Sequence, residues 1–189
     1  MDIVKLVDCV DFSAKKHRNQ RRKNAAETPY INHPVGVARI LAKEAGVSDL
    51  ATLQTTVFDL VSLQAAILHD TVEDTDTTFE EIEKQFGKEV RDIVDDVTDD
   101  KSLPKMERKR RQIEHAPHCC PKAKLVKLAD KLYNLRDLDQ EIPQGWTKER
   151  AQEYFQWASQ VVQGLRGTNK EMEASLDELF AKHGVVVET

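Results

Sequence analysis

The tract Leu68-His69-Asp70-Thr71-Val72-Glu73-Asp74 gathers one imidazole and three carboxylates into a short stretch of chain. On a helix turning about 100° per residue, His69, Asp70, Glu73 and Asp74 share an arc of roughly 140°. The residues before them, Leu63, Ala65, Ala66, Ile67 and Leu68, are apolar nearly all round, the pattern of a buried helix. Burying several acids without partners is costly, and a divalent cation is a physical reason to place them there. Imidazole with carboxylate suits Mn, Fe, Zn or Co. A plainer reading is a helix end with solvated acids and a core histidine, so the metal reading needs further ligands from elsewhere in the chain.

Two residues can supply them. His33 sits in Thr28-Pro29-Tyr30-Ile31-Asn32-His33-Pro34, directly before an expected helix start. Asp130 sits in Lys127-Leu128-Ala129-Asp130-Lys131-Leu132-Tyr133-Asn134. On that helix it falls about 40° beyond Val126, at the edge of the apolar arc, with Asn134 and Asp137 nearby. An acid there is half-buried and faces an inter-helix groove. The densest cationic run is Lys15, Lys16, His17, Arg18, Arg21, Arg22 and Lys23, just before His33. By itself such a run reads as a solvated helix face or a nucleic-acid or targeting patch, in a chain whose net charge is −5.

Together, His33, His69-Asp70 and Asp130 resemble the H…HD…D signature of the HD-domain metallophosphohydrolases. Arg22-Lys23, Pro29-Tyr30-Ile31-Asn32-His33-Pro34, His69-Asp70-Thr71-Val72-Glu73-Asp74-Thr75 and Lys127-Leu128-Ala129-Asp130-Lys131 with Asn134 resemble a narrower group. That group is the hydrolase domain of the RelA/SpoT family in its stand-alone metazoan form. The resemblance implies an HD fold and hydrolysis of guanosine 3′,5′-bis(diphosphate), ppGpp, to GDP and pyrophosphate. It also implies a phosphatase activity on the 2′-phosphate of NADPH, described for the metazoan enzymes. One divalent ion, usually manganese with zinc or iron as alternatives, would be held by His33, His69, Asp70 and Asp130. Glu73 and Asp74 would orient or deprotonate the attacking water and assist the leaving group. Arg22 and Lys23 would contact base and phosphates, and Lys105, Asn134, Arg150 and Tyr154 phosphate or ribose. The resemblance spans about residues 5–183 and includes no synthetase domain, so hydrolysis alone is implied.

The elements that must position these groups read as helices. Ile3, Leu6, Val7, Val10 and Ala14 repeat at helical spacing. The polar stretch from Arg18 to Asn32 reads as loop. Pro34 opens a second helix, in the first turn that tolerates proline, and Gly46 closes it. A third helix is expected over about 50–74, a short one from Thr78 to Phe86, and others at about 88–98, 104–115, 121–139, 147–165 and 169–182. No period-2 alternation competes with them. The expectation is an all-α single domain over residues 1–189 with short connections. Thr52-Leu53-Gln54 recurs about ten residues on as Ser62-Leu63-Gln64. Ten residues added to a continuous helix displace what precedes them by about 15 Å. The insert is expected to be absorbed in the loop and helix start around residues 46–60; were it not, His33 would be misplaced relative to His69, leaving an impaired, nucleotide-sensing module.

Composition narrows the alternatives. Mild acidity and the lack of interleaved aromatics argue against a nucleic-acid binder. No apolar run approaches the length of a membrane helix, and the start lacks a signal-peptide pattern. Three cysteines, two of them adjacent, form no disulfide framework, so a reducing, cytoplasmic setting is expected. The partner expected is a small-molecule nucleotide, ppGpp or NADPH, with another nucleotide as the alternative. His115, His118, Cys119 and Cys120 match no common zinc spacing, so no second metal is expected. Trp146 and Trp157 read as core residues, and Val161, Val162 and Leu165 as a packing face.

Overall fold

The computed structural model describes residues 3–45 and 60–187, and every regular element among them is helical. The chain is all-α, as its periodicity indicates. The centre is α8 (Pro121–Gln140), against which pack α2 (Asn32–Glu44), α3 (Leu60–Leu68), α6 (Lys88–Val97), α9 (Lys148–Gln163) and α10 (Lys170–Lys182). Neighbours on several sides explain why α8 buries Val126, Leu128, Ala129, Leu132 and Leu135, and even Lys127 and Lys131. Val161, Val162 and Leu165 are buried as expected.

Local chemistry sets the helix starts. Thr78 accepts from the Glu81 N–H and so caps α5 (Phe79–Phe86), Thr147 caps α9 through Arg150, and Asn169 caps α10 through Met172. The Cys120 sulfur accepts from the Ala123 N–H at the start of α8, where Pro121 occupies the first turn. α1 (Ile3–Lys16) buries Cys9, Phe12 and Ser13, and the Ser13 hydroxyl donates to the Ile67 carbonyl at 2.9 Å, tying α1 to α3.

The third helix departs from expectation. α3 ends at Leu68, and a separate turn, α4 (Thr71–Asp74), follows. The break falls at His69-Asp70 because side chains take over the last carbonyls. His69 Nδ1 lies 2.8 Å from the Ala66 oxygen, and the Thr71 hydroxyl donates to the Leu68 oxygen at 2.6 Å. The functional tract therefore sits at a helix end rather than along one face. The near-repeat at Thr52, the stop at Gly46 and the start of the third helix lie outside the described residues. The displacement of His33 that the near-repeat threatened is not realised, since His33 Nε2 is 3.3 Å from Asp70 Oδ2.

The loop after α1 folds back on itself. Arg21 bridges Pro29, the Arg22 N–H donates to the Thr28 oxygen at 2.9 Å, and the Tyr30 N–H donates to the Gln20 oxygen at 3.1 Å. The fold-back presents Arg22 and Tyr30 side by side and delivers the chain into α2 with His33 in its first turn. One close approach sets the angle of α2. A Cβ at Gly36 would lie 2.0 Å from Tyr133 Cε2, and the Tyr133 ring packs edge-on against His33, with centroids 4.9 Å apart. Gly36→Ala is therefore expected to destabilise the fold by about 1–3 kcal/mol, read as a lowered denaturation midpoint, with loss of metal affinity as Tyr133 is pushed onto His33.

Candidate active site

Three separated segments bring four ligating atoms around one point. His33 Nε2 is 3.3 Å from Asp70 Oδ2 and 3.2 Å from Asp130 Oδ1. His69 Nε2 is 3.1 Å from Asp70 Oδ2 and 3.7 Å from Asp130 Oδ1. Nitrogen and oxygen thus alternate around the point. With His69 Nδ1–H donated to the Ala66 oxygen, Nε2 is the nitrogen left to take a proton or a metal; it is buried with no hydrogen-bond partner. Donors bound to one first-row dication at about 2.0–2.2 Å stand roughly 3 Å apart. His33, His69 and Asp130 offer atoms all within 4.8 Å of one another, a cluster able to hold a metal ion, and Asp70 flanks it through both histidines. Burial disfavours charge on all these groups, yet Asp70 and Asp130 hold the His69 imidazolium well above its ordinary range. The histidines in turn hold Asp70 well below the carboxylate range, and Lys131 with the histidines does the same for Asp130. A dication supplies the same positive charge in place of those protons.

Further residues, which spacing did not single out, fix the ligands. The half-buried Tyr30 donates through its hydroxyl to Asp70 Oδ2 at 2.7 Å, the oxygen that faces both histidines. Burial, then Asp70 and Asp74, push the phenol's pKa upward, so it stays a donor. Lys131 donates to the outer oxygen of Asp130 at 2.9 Å, and Asn134 Nδ2 to the inner one at 2.7 Å. Burial disfavours the Lys131 ammonium, but Asp130 more than offsets this and keeps it charged. Tyr30 lies inside the quoted motif, but only the fold-back at Arg21 to Pro29 shows which carboxylate it reaches. Tyr30→Phe is expected to weaken metal affinity roughly 10–100-fold while leaving the fold intact, measured by competition with a chelating dye.

The acid pair sits beside the ligands with the two carboxylates in different surroundings. Glu73 Oε2 accepts from the Asp99 N–H at 3.3 Å, and Oε1 lies 3.7 Å from Arg108. Burial, then the charges of Asp99, Asp70 and Asp74, push Glu73 up to about 7. Asp74 accepts from Gln20 Nε2 at 2.8 Å and from Lys101.

Asp74 opens onto a cavity of about 750 Å³ lined by Gln20, Arg22, Lys23, Tyr30, Asn134, Trp146 and Tyr154 among others. Arg22 lies 5.7 Å from both the Tyr30 and Tyr133 ring centroids and donates to Asn134 at 3.0 Å and Asp137 at 2.8 Å. Of the expected contact residues, Arg22, Lys23, Asn134 and Tyr154 line this cavity. Arg150 stacks over Trp146, 4.2 Å from the ring centroid. Lys105 is exposed at the start of α7 (Lys105–His115) and is not among the lining residues. One turn on, Lys109 lies 4.7 Å from the Trp157 centroid and 5.7 Å from that of Tyr154. Trp146 and Trp157, expected in the core, are half-buried. Trp146 walls the cavity because Gly145, at φ 77°, turns the chain just before α9. The basic run also divides. Arg21, Arg22 and Lys23 face the cavity, whereas Lys16 pairs with Asp76 at 3.1 Å and Glu81 at 2.9 Å, Lys15 pairs with Asp11, and His17 is buried.

An all-helical scaffold that gathers His33, His69-Asp70 and Asp130 around one point defines a class, and the chain belongs to the HD domain family, whose profile matches residues 9–163. HD-domain hydrolases use divalent metals, and the His/Asp cluster is this chain's place for one. Among named relatives, the chain is 61% identical over 186 residues to the guanosine-3′,5′-bis(diphosphate) 3′-pyrophosphohydrolase MESH1 of Xenopus tropicalis, covering 98% of each. It is 58% identical to the Homo sapiens MESH1, again over 98% of both chains. A solved structure of a metazoan orthologue of SpoT that hydrolyses ppGpp and plays a role in starvation responses superposes with a TM-score of 0.87 at 50% identity, covering 96% of this chain and 97% of that one. Among the described residues no helix is long and apolar enough to cross a membrane.

Proposed function

We propose that this chain is a metal-dependent pyrophosphohydrolase that converts ppGpp to GDP and pyrophosphate, with manganese as the ion at His33, His69, Asp70 and Asp130. The observation that carries the reading is the ring of four ligating atoms, 3.1 to 3.7 Å apart, opening beside a cation-walled cavity of nucleotide size. Relatives named for this hydrolysis match the chain over nearly its whole length.

The bound ion supplies Lewis acidity: it activates water and offsets phosphate charge. The protein's own groups do the rest. Arg22, 5.7 Å from the Tyr30 and Tyr133 ring centroids, offers a planar cation on which guanine stacks. Lys23 and Arg150 offset the phosphates, and Asn134 hydrogen-bonds the ribose. Glu73, raised towards neutrality by burial and neighbouring acids, accepts the proton of the attacking water as its oxygen bonds to the phosphorus on the 3′-oxygen. The bond between that phosphorus and the 3′-oxygen breaks. Asp74, held by Gln20 and Lys101, assists delivery of a proton to the departing 3′-oxygen, and pyrophosphate leaves.

The test compares ppGpp with NADPH on chelator-stripped protein at matched manganese. The expected result is pyrophosphate and GDP in equal amounts from ppGpp, with none before manganese is restored. Faster release of phosphate from NADPH would move the assignment to a 2′-phosphatase. Inertness towards both would leave a nucleotide-sensing module.

A further inference from the structure

A second cluster of metal-ligating side chains lies away from this centre, where the fold adds a residue that sequence spacing could not. Asp96 is in the last turn of α6, beside the end of α7 and the 3-10 turn Ala116–His118. Its Oδ1 lies 2.7 Å from His115 Nε2, and its Oδ2 accepts from the Cys120 N–H at 2.8 Å. The buried Cys119 sulfur points into the same corner, 3.5 Å from the His115 carbonyl oxygen and 3.9 Å from that of Asp96. One ligating atom each from Asp96, His115 and Cys119 lies within 4.8 Å of the others. We propose that these three side chains form a second divalent-cation site, of the zinc type, which shares no residue with the centre at His33, His69, Asp70 and Asp130.

The donor set is the argument. Thiolate, imidazole and carboxylate together favour zinc or cobalt, whereas the first centre offers only nitrogen and oxygen. Tetrahedral ligands about 2.0–2.3 Å from zinc stand roughly 3.4 Å apart, so the Asp96–His115 pair must open by several tenths of an ångström. The His115 side chain, 52% exposed, is free to swing by that much. The Cys120 N–H already holds the outer Asp96 oxygen and leaves the inner one for the ion. Burial keeps the Cys119 thiol protonated, pushed up to about 11, so binding releases a proton. The neighbouring cavity of about 430 Å³ supplies access, and His118 in its wall, or water, can fill the fourth position. Lys127, buried in the same wall, and Arg108 and Arg111 beside it oppose a second cation; Asp99, Asp100 and Glu114 in that wall offset them. An ion here pins the end of α6 to the α7–α8 corner, next to the segment whose Asp99 N–H holds Glu73.

Cobalt titration of the metal-stripped full chain tests this, because only thiolate ligation gives a near-ultraviolet sulfur-to-cobalt charge-transfer band and the first centre contains no sulfur. The band is expected in the unsubstituted protein and in His69→Ala. It should be lost in Cys119→Ser, weakened at least tenfold in cobalt affinity in His115→Ala, and displaced by zinc. Cys120→Ser should keep it. Absence of the band in the unsubstituted protein, or a band that follows Cys120 rather than Cys119, overturns the proposal. Because Cys119 is buried and its replacement can disturb folding, the exposed His115 provides the second reading. Zinc should raise the melting temperature of His69→Ala, and adding His115→Ala should abolish that rise. A rise that survives overturns the proposal equally.

Discussion

Asp130→Ala and His69→Ala are each expected to leave a folded protein that neither retains the ion of the first centre nor turns over ppGpp. The loss of turnover should be about a thousandfold or more, since the several kcal/mol of charge stabilisation an ion supplies convert at a factor of ten per 1.36 kcal/mol. Each residue contributes one of four atoms spaced 3.1 to 3.7 Å apart, so removing either opens the ring rather than loosening it. Asp130 carries the larger structural consequence. Its carboxylate is the hydrogen-bond partner of the buried Lys131 ammonium, and removal strands that charge. Asp130→Asn keeps the shape, but with its oxygen towards the histidines it turns an NH2 to the Lys131 ammonium, so the charge stays stranded. Asp130→Asn combined with Lys131→Met removes that charge and separates the effects, since stability largely returns and metal affinity does not. Metal content after gel filtration, read beside the melting curve, checks both. A His69→Ala protein with full metal content and full activity in chelator would sink the mechanism.

Glu73→Gln is expected to keep the ion and lose roughly 10²–10⁴-fold in turnover, the range for removal of a general base. KM should change little, because Glu73 is not among the residues lining the nucleotide cavity. The pH dependence follows from the direction of its shift. Burial, then Asp99, Asp70 and Asp74, raise Glu73 from the ordinary carboxylate value to about 7, and only the ionised form accepts a proton. Turnover should therefore fall as pH drops through about 7, with the slope of a single group, and the residual rate of Glu73→Gln should lack that limb. The stability effect has its own sign. A carboxyl raised in the folded state is better tolerated protonated, so the fold loses some stability as pH climbs from the ordinary carboxylate value through about 7. Glu73→Gln removes that loss, and its melting temperature should exceed that of the unsubstituted protein at pH 8 but not at pH 5.

The two experiments probe parts of the site that were unequally legible. The ligand set was visible because its chemistry is local: His69 and Asp70 are adjacent, and His33 and Asp130 each stand in a short motif of their own. The supporting hydrogen bonds were not, because their partners are far apart in the chain. Tyr30 meets Asp70 across 40 residues and Arg22 meets Asn134 across 112. The break between α3 and α4 escaped periodicity because the apolar pattern runs straight through it, while His69 Nδ1 and the Thr71 hydroxyl take the carbonyls of the last turn. Trp146 fitted a core pattern but sits at a turn, with one face under Arg150. The missing zinc spacing was a sound reading of the loop at His115 to Cys120, yet Asp96, on another helix, is what completes the cluster.

The sequence alone determined the helical class, set by residue types within a turn or two of chain, and its motifs, through their resemblance to a known family, named the four candidate ligands and the acid pair beside them. Which atoms converge, which carboxylate Tyr30 holds, which cations reach the cavity and where Asp96 lies were decided by the tertiary structure. The physical reason is the packing of α2, α3, α6 and α9 around α8. Helical periodicity says which face of a helix is buried, and only the packed neighbours determine what that face meets.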